Sequence, residues 1–179
     1  MTILRTDLPI ADGSIQDEEA DRLGELARGA RVLELGSLVG RSTVAMAREA
    51  TVLFSVDWHK GDEHMGVLDT LGTFLGNLVQ YGVRDKVVPI VAPTSQVLPT
   101  LAPGWFDLVF IDATHTYEAV KSDINMAAPL VRDGGVIACH DYFDLWDMNF
   151  GSKQAIDEFC EQTGWKISEE VLSMVVLRR

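Results

Sequence analysis

The sequence predicts an α/β fold: a doubly wound, mostly parallel sheet of seven strands, closed by a C-terminal antiparallel hairpin and covered by helices on both faces. Three observations carry it. Five apolar runs of strand length alternate with stretches of helical periodicity. The first run, Arg31 to Leu35, feeds a glycine turn, Gly36 to Gly40, and then a helical pattern; this is the order in which a parallel sheet offers backbone N–H groups at its carboxyl edge. The tail carries two strand-like runs, Trp165–Ser168 and Leu172–Leu177, close enough to pair as a hairpin. A chain of 179 residues is long enough for one such domain, spanning 1–179.

Each element has its own signal. Ser14 and Asp17 have capping-box spacing, and Asp17, Glu18 and Glu19 load the first turn of a helix whose apolar face is Ile15, Ala20, Leu23, Leu26 and Ala27. Those acids are read as solvated, the usual fate of acids in a first turn. Gly29 stops the helix. After the Arg31–Gly36 strand, Val44, Ala45 and Ala47 mark a helix from about Arg41 to Glu49. Val52–Asp57 is the second strand, and the polar stretch Trp58–Gly66 a loop. Leu68, Leu71, Leu75, Leu78 and Val79 repeat at helical spacing. Val87–Val91 and Phe106–Asp112 are the third and fourth strands. Val120, Ile124, Ala127, Ala128 and Val131 mark a helix ended by Asp133-Gly134-Gly135, before a fifth strand, Val136–Cys139. Ser152 caps a last helix that Gly164 closes.

Bulk properties exclude several classes. Fifteen Lys and Arg against twenty-seven acids, net charge −12, leave no basic stripe for nucleic acid or for an anionic membrane surface. No run approaches the ~18 apolar residues of a membrane span, and the first residues lack a secretory pattern. Cys139 and Cys160 have no metal-type spacing and read as buried thiols of a reducing, cytoplasmic protein. A small neutral or cationic substrate fits best.

The turn itself, RVLELGSLVGRS over Arg31–Ser42, lacks the middle and last glycines of a dinucleotide fingerprint. It resembles motif I of the S-adenosylmethionine-dependent methyltransferases of Rossmann-like fold. The form E-L-G-x-x-x-G-x-S is most similar to the catechol O-methyltransferase-like enzymes and the small O-methyltransferases of natural-product and sugar pathways. FSVDW, FIDATHTYEAVKSDI, GGVIACHDY and GSKQAIDEF extend the likeness over most of the chain.

The resemblance implies S-adenosylmethionine as cofactor and a hydroxylated small molecule as acceptor. It implies that Glu34, Gly36, Ser37, Gly40 and Ser42 face the amino-acid part of the cofactor. Asp57 would accept both ribose hydroxyls, Trp58 would lie against the adenosine, and Thr94, Ser95, Asp112 and Ala113 would border the adenine side. A divalent ion (Mg, Mn or Fe) would be held by Asp112, His140 and Asp141; a histidine in that set favours a later transition metal, and His140 equally suits orienting Asp141 or the substrate. His115 stands where the catechol enzymes carry a lysine base, and imidazole can do that work. Thr114 and Thr116 are better helix caps than His115.

All four histidines, His59, His64, His115 and His140, follow strand ends, together with Asp57, Asp112 and Asp141. The preferred reading is an O-methyltransferase. A non-catalytic nucleoside-binding module and an NAD-dependent oxidoreductase stand as alternatives. Oligomeric state, a homo-oligomer included, is left open, as is the acceptor.

Overall fold

A computed structural model describes residues 15–62, 66–143 and 151–179. Strands β1 (Arg31–Leu35), β2 (Val52–Asp57), β5 (Val87–Val91), β6 (Phe106–Ile111), β7 (Val131–Cys139), β8 (Lys166–Val171) and β9 (Met174–Arg178) form one sheet in the order β5-β2-β1-β6-β7-β9-β8. The first five strands of that order pair in parallel; β7–β9 and β9–β8 are antiparallel. Order therefore reverses between β1 and β6, and a crevice at such a switch point is where open α/β sheets bind ligands. Among the described residues, no helix is long and apolar enough to cross a membrane.

Strand parity divides the core. Val32, Leu53, Leu108, Phe110, Val136 and Ala138 face one side, against Leu23 of α1 (Asp17–Leu26), Val44 of α2 (Arg41–Ala47) and Phe74 and Leu78 of α3 (Leu71–Gln80). Leu33, Leu35, Val109, Ile111, Ile137 and Cys139 face the other. There they meet Val97 of α4 (Thr94–Val97), Val120 and Ile124 of α5 (Tyr117–Ala127), and Ile156 and Phe159 of α6 (Ser152–Thr163). Both faces are covered, which is why the parallel strands read as continuous apolar runs.

Several boundaries differ from the sequence reading. Helix α1 is capped by Gln16, whose N–H donates to Glu19 Oε2 at 2.8 Å; Ser14 lies outside the described residues. The Trp58–Gly66 stretch contains a short antiparallel pair, β3 (Gly61–Asp62) with β4 (Gly66–Val67). Helix α5 ends earlier than its apolar periodicity suggests: Pro129 lacks an N–H, the chain tightens to a 3₁₀ turn over Ala128–Leu130, and β7 begins at Val131. Asp133-Gly134-Gly135 is thus a bulge inside β7, since Phe106 pairs with Val131 but Leu108 with Val136. Gly151, not Ser152, occupies the cap position of α6.

Candidate functional site

The turn after β1 is built around backbone that only glycine adopts cheaply. Gly36 has φ +85, and a Cβ there would stand 2.1 Å from the carbonyl oxygen of Asp112. The turn therefore lies flat on the end of β6. Gly40, at φ +95, opens α2. Between them the N–H groups of Ser37 and Leu38 donate to Asp57 Oδ2 at 2.8 and 2.9 Å, and His59 N–H donates to Oδ1 at 2.7 Å. Asp57 thus ties the end of β2 to the turn after β1. A carboxylate has about four acceptor positions, so these bonds leave room at Oδ1 for one hydroxyl rather than two.

Glu34 does not reach the open edge. It is 0% exposed, on the α1–α3 face of β1, and accepts from Ser42 Oγ and Thr43 Oγ1 at 2.6 Å each. Burial pushes its carboxyl up to about 7, against the opposing pull of those hydroxyls and with the Asp112 charge adding to the rise. Glu34 and Ser42 brace the first turn of α2 beneath the glycine turn.

The remaining expected cofactor residues spread along the same edge. Trp58 is 45% exposed and its Nε1 donates to the Gly61 carbonyl at 2.7 Å. Thr94 donates to Asp123 Oδ1 at 2.7 Å; burial lifts the Asp123 carboxyl to about 6, partly offset by that bond. Ser95 is exposed, and Ala113 is half-buried beside Gly36.

Two of the four histidines converge on chemistry. His59 does not: it is buried, with Nδ1 2.9 Å from Thr70 Oγ1 and its ring against Phe74. His64 lies outside the described residues. His115 Nδ1 pairs with Asp141 Oδ2 at 3.0 Å, and His140 Nδ1 stands 3.3 Å from Asp112 Oδ1 and 3.2 Å from Asp141 Oδ2. The ladder carries these groups to the edge, because Asp112 N–H donates to Leu35 and His140 N–H to Ile111. Asp141 is held in the left-handed region at φ +52. Gly151 pins the His115 loop: its N–H donates to the His115 carbonyl at 2.9 Å, and a Cβ on it would meet Tyr117 N at 2.3 Å. Thr116 caps α5.

The charges in the cluster act on one another. Burial pulls the His115 imidazole down, but the hydrogen bond to Asp141 and the charges of Asp112 and Asp141 outweigh it and hold it above its ordinary value. His140 is likewise raised against burial, mainly by Asp112. Asp112 is raised, by burial first and by the Asp141 charge as well. Asp141 is lowered despite burial, by its pairing with His115 and by the close approach and charge of His140.

Asp112, His115 and Asp141 bring ligand atoms within 4.8 Å of one another, a set that could hold a cation. His115 thus joins the two expected acids, while His140 also brings its Nδ1 to within 3.3 Å of both. The His140 Nε2 is turned away, 3.1 Å from Glu19 Oε2 and 2.9 Å from Ser173 Oγ. Glu19 corrects the sequence reading: it is 0% exposed, not solvated, and its carboxyl is lowered because His140, Gln16 and Ser173 together outweigh burial. Parity carries His140 toward α1, since it continues Val136 and Ala138, but no spacing marks Glu19.

A family of methyltransferase domains matches residues 33–142. A catechol O-methyltransferase of Mycobacterium tuberculosis is 40% identical over 110 residues, 60% of this chain and 46% of that protein. The chain matches less than half the length of its curated relatives. Cofactor-bound Rv0187 from MTB superposes with TM-score 0.76 at 26% identity, covering 96% of this chain and 83% of that one. The O-methyltransferase TomG from Streptomyces achromogenes, solved in complex with SAM, shares the fold with TM-score 0.69 at 23% identity, covering 96% and 82%.

Proposed function

The chain belongs to the methyltransferase-domain family, and on that premise we propose that it transfers the methyl group of S-adenosylmethionine to a hydroxyl of a small molecule. The observation that carries the reading is the His115–Asp141 pair, 3.0 Å apart, with Asp112, whose own carbonyl packs on the glycine turn. Binding a nucleoside needs no such group, and proton removal does. S-adenosylmethionine, when bound, supplies a methyl carbon on a sulfonium sulfur. The Gly36–Gly40 turn and the remaining acceptor position of Asp57 would hold it at the carboxyl edge of β1 and β2, with Trp58, Thr94 and Ser95 offering the rim. Asp141 orients His115 through Nδ1, and the imidazole takes the proton of the acceptor hydroxyl. Such a base contributes about 10²–10⁴-fold, and most of the remainder comes from holding the reacting atoms in line.

The donor set Asp112, His115 and Asp141 also fits a divalent ion. Mixed imidazole and carboxylate donors suit Mn²⁺ or Fe²⁺ better than Mg²⁺, and a bound ion would supply Lewis acidity toward the acceptor hydroxyl. The excess of acids fits a small uncharged or cationic acceptor, and the two free cysteines fit a reducing cytoplasm.

Incubation with methyl-labelled S-adenosylmethionine and catechol, then with a library of hydroxylated metabolites, tests the reading. Labelled methyl ether and demethylated cofactor are expected. Cofactor binding with no transfer to any acceptor would favour the binding module. Loss of transfer on chelation, restored by Mn²⁺, would assign the acid–histidine set to an ion; full activity after chelation would leave His115 as the base.

A further inference from the structure

Glu19 is an acid with no apparent business in a core. A capping-box carboxylate does its work as well in water, and burying a charge is costly unless it is fully hydrogen-bonded. Here every partner is supplied. Oε2 accepts from Gln16 N–H at 2.8 Å and lies 3.1 Å from His140 Nε2; Oε1 accepts from Ser173 N–H at 2.9 Å and Ser173 Oγ at 2.8 Å. The Ser173 carbonyl in turn accepts Tyr142 N–H at 2.8 Å, which locks the β8–β9 turn onto the chain leaving β7.

We propose that Glu19, with Ser173, is a positioning residue for the reacting centre, fixing the proton of His140 on Nε2 and thereby aiming Nδ1 between Asp112 and Asp141. The chemistry follows from the donors present. An ionised carboxylate only accepts, and its other neighbours are all donors, so the imidazole nitrogen facing it must carry a hydrogen. Nδ1 is then the nitrogen whose state is set by the site. It is buried and makes no well-formed hydrogen bond among the described residues, although two carboxylates lie within 3.3 Å. A buried polar atom left in that condition marks a place for a further group. Here that group is a proton shared with the acid pair or a ligand between them. Behind a metal-bound histidine, a carboxylate that fixes tautomer and ring plane is the usual outer support, and its loss costs about 10–100-fold in metal affinity or activity; a loss of the same order is expected at His140.

This inference rests on the proposed methyl transfer for its rate readout but not for its spectroscopic one. In ¹⁵N-histidine long-range spectra of the wild-type protein, with His140 assigned by its absence in His140→Asn, Nε2 should be the protonated nitrogen; a ring with Nε2 bare overturns the proposal. Glu19→Gln places an amide N–H₂ among donors, so it should no longer require a hydrogen on Nε2. Catechol methylation should then fall about 10–100-fold in kcat, with KM and calorimetric cofactor affinity nearly unchanged. A folded Glu19→Gln protein with wild-type kcat overturns the proposal; if that variant does not fold, the wild-type spectrum decides alone. Absence of any transfer by the wild-type protein would count against the methyltransferase activity and leave the spectrum to judge Glu19.

Discussion

Glu34→Gln separates a structural carboxyl from a ligand-binding one, and its sign can be worked out in advance. The side chain is wholly buried and bonded to Ser42 and Thr43. Its ordinary value of 4.5 rises to about 7 in the fold. Between those values the folded state holds a proton that the unfolded state has released. Stability from this group is therefore full below pH 4.5 and lost as pH rises through about 7. At ~1.4 kcal/mol per unit, the loss amounts to about 3 kcal/mol. Glutamine keeps the shape, stays neutral, and can pair with hydroxyls that rotate to suit. Urea unfolding of both proteins across the acid-to-neutral range should give similar free energies at the acid end. A gap should open in favour of the variant toward neutrality, steepest at ~1.4 kcal/mol per pH unit. Cofactor affinity should change little, because the carboxyl does not face the open edge. Parallel stability curves would show that Glu34 is ionised throughout. A large loss of cofactor affinity without loss of stability would return it to the ligand-binding set.

His115→Ala should lower kcat by about 10²–10⁴-fold and leave calorimetric cofactor affinity nearly intact. In the wild-type protein, kcat/KM should fall as pH drops through a value above the ordinary 6.5 of histidine, since His115 is raised and only the neutral ring accepts a proton; a limb at or below 6.5 speaks against His115. Asp57→Ala removes the acceptor of two turn N–H groups and should weaken cofactor binding at least about tenfold. The Ser37 and Leu38 amides should also exchange faster with solvent; unchanged affinity excludes Asp57 from the site. Gly36→Ala forces a Cβ to 2.1 Å from the Asp112 carbonyl at φ +85 and should cost at least ~2 kcal/mol by thermal or urea unfolding. Wild-type stability would mean the turn can move off β6.

The fold was legible because burial on both faces of a parallel sheet leaves apolar runs that no other common architecture needs. The misplaced boundary shows the limit of that signal. Val131 extends the helical spacing of Val120, Ile124 and Ala127 and is also the first residue of β7, and its periodicity alone suits both. Pro129 decides it, by removing one N–H from the helical ladder. Likewise Gly134 and Gly135 punctuate a strand rather than separate a helix from one, because the β6–β7 ladder resumes beyond them.

In the site, legibility followed distance from a strand end. Asp57, Asp112 and Asp141 are readable as edge residues because the ladder stops just before or at them. Which way an edge residue points is a matter of parity, and parity was readable too. Glu34 shares its face with Val32, so α2 had to cover it. Asp112 continues Leu108 and Phe110, and His140 continues Val136 and Ala138, on that same α1–α3 face. His140 therefore points its ring at α1 rather than out over the sheet edge. What no spacing reveals is the acid waiting there, 121 residues earlier in the chain. A solvated first-turn glutamate and a buried one have the same local sequence, and only the packing of α1 against the β8–β9 turn tells them apart. The polar partners of a buried imidazole are thus set by tertiary contact, while its position at the edge is set locally. This is why the edge positions of His115, His140 and Asp141 are legible in the sequence while the carboxylate behind His140 is not.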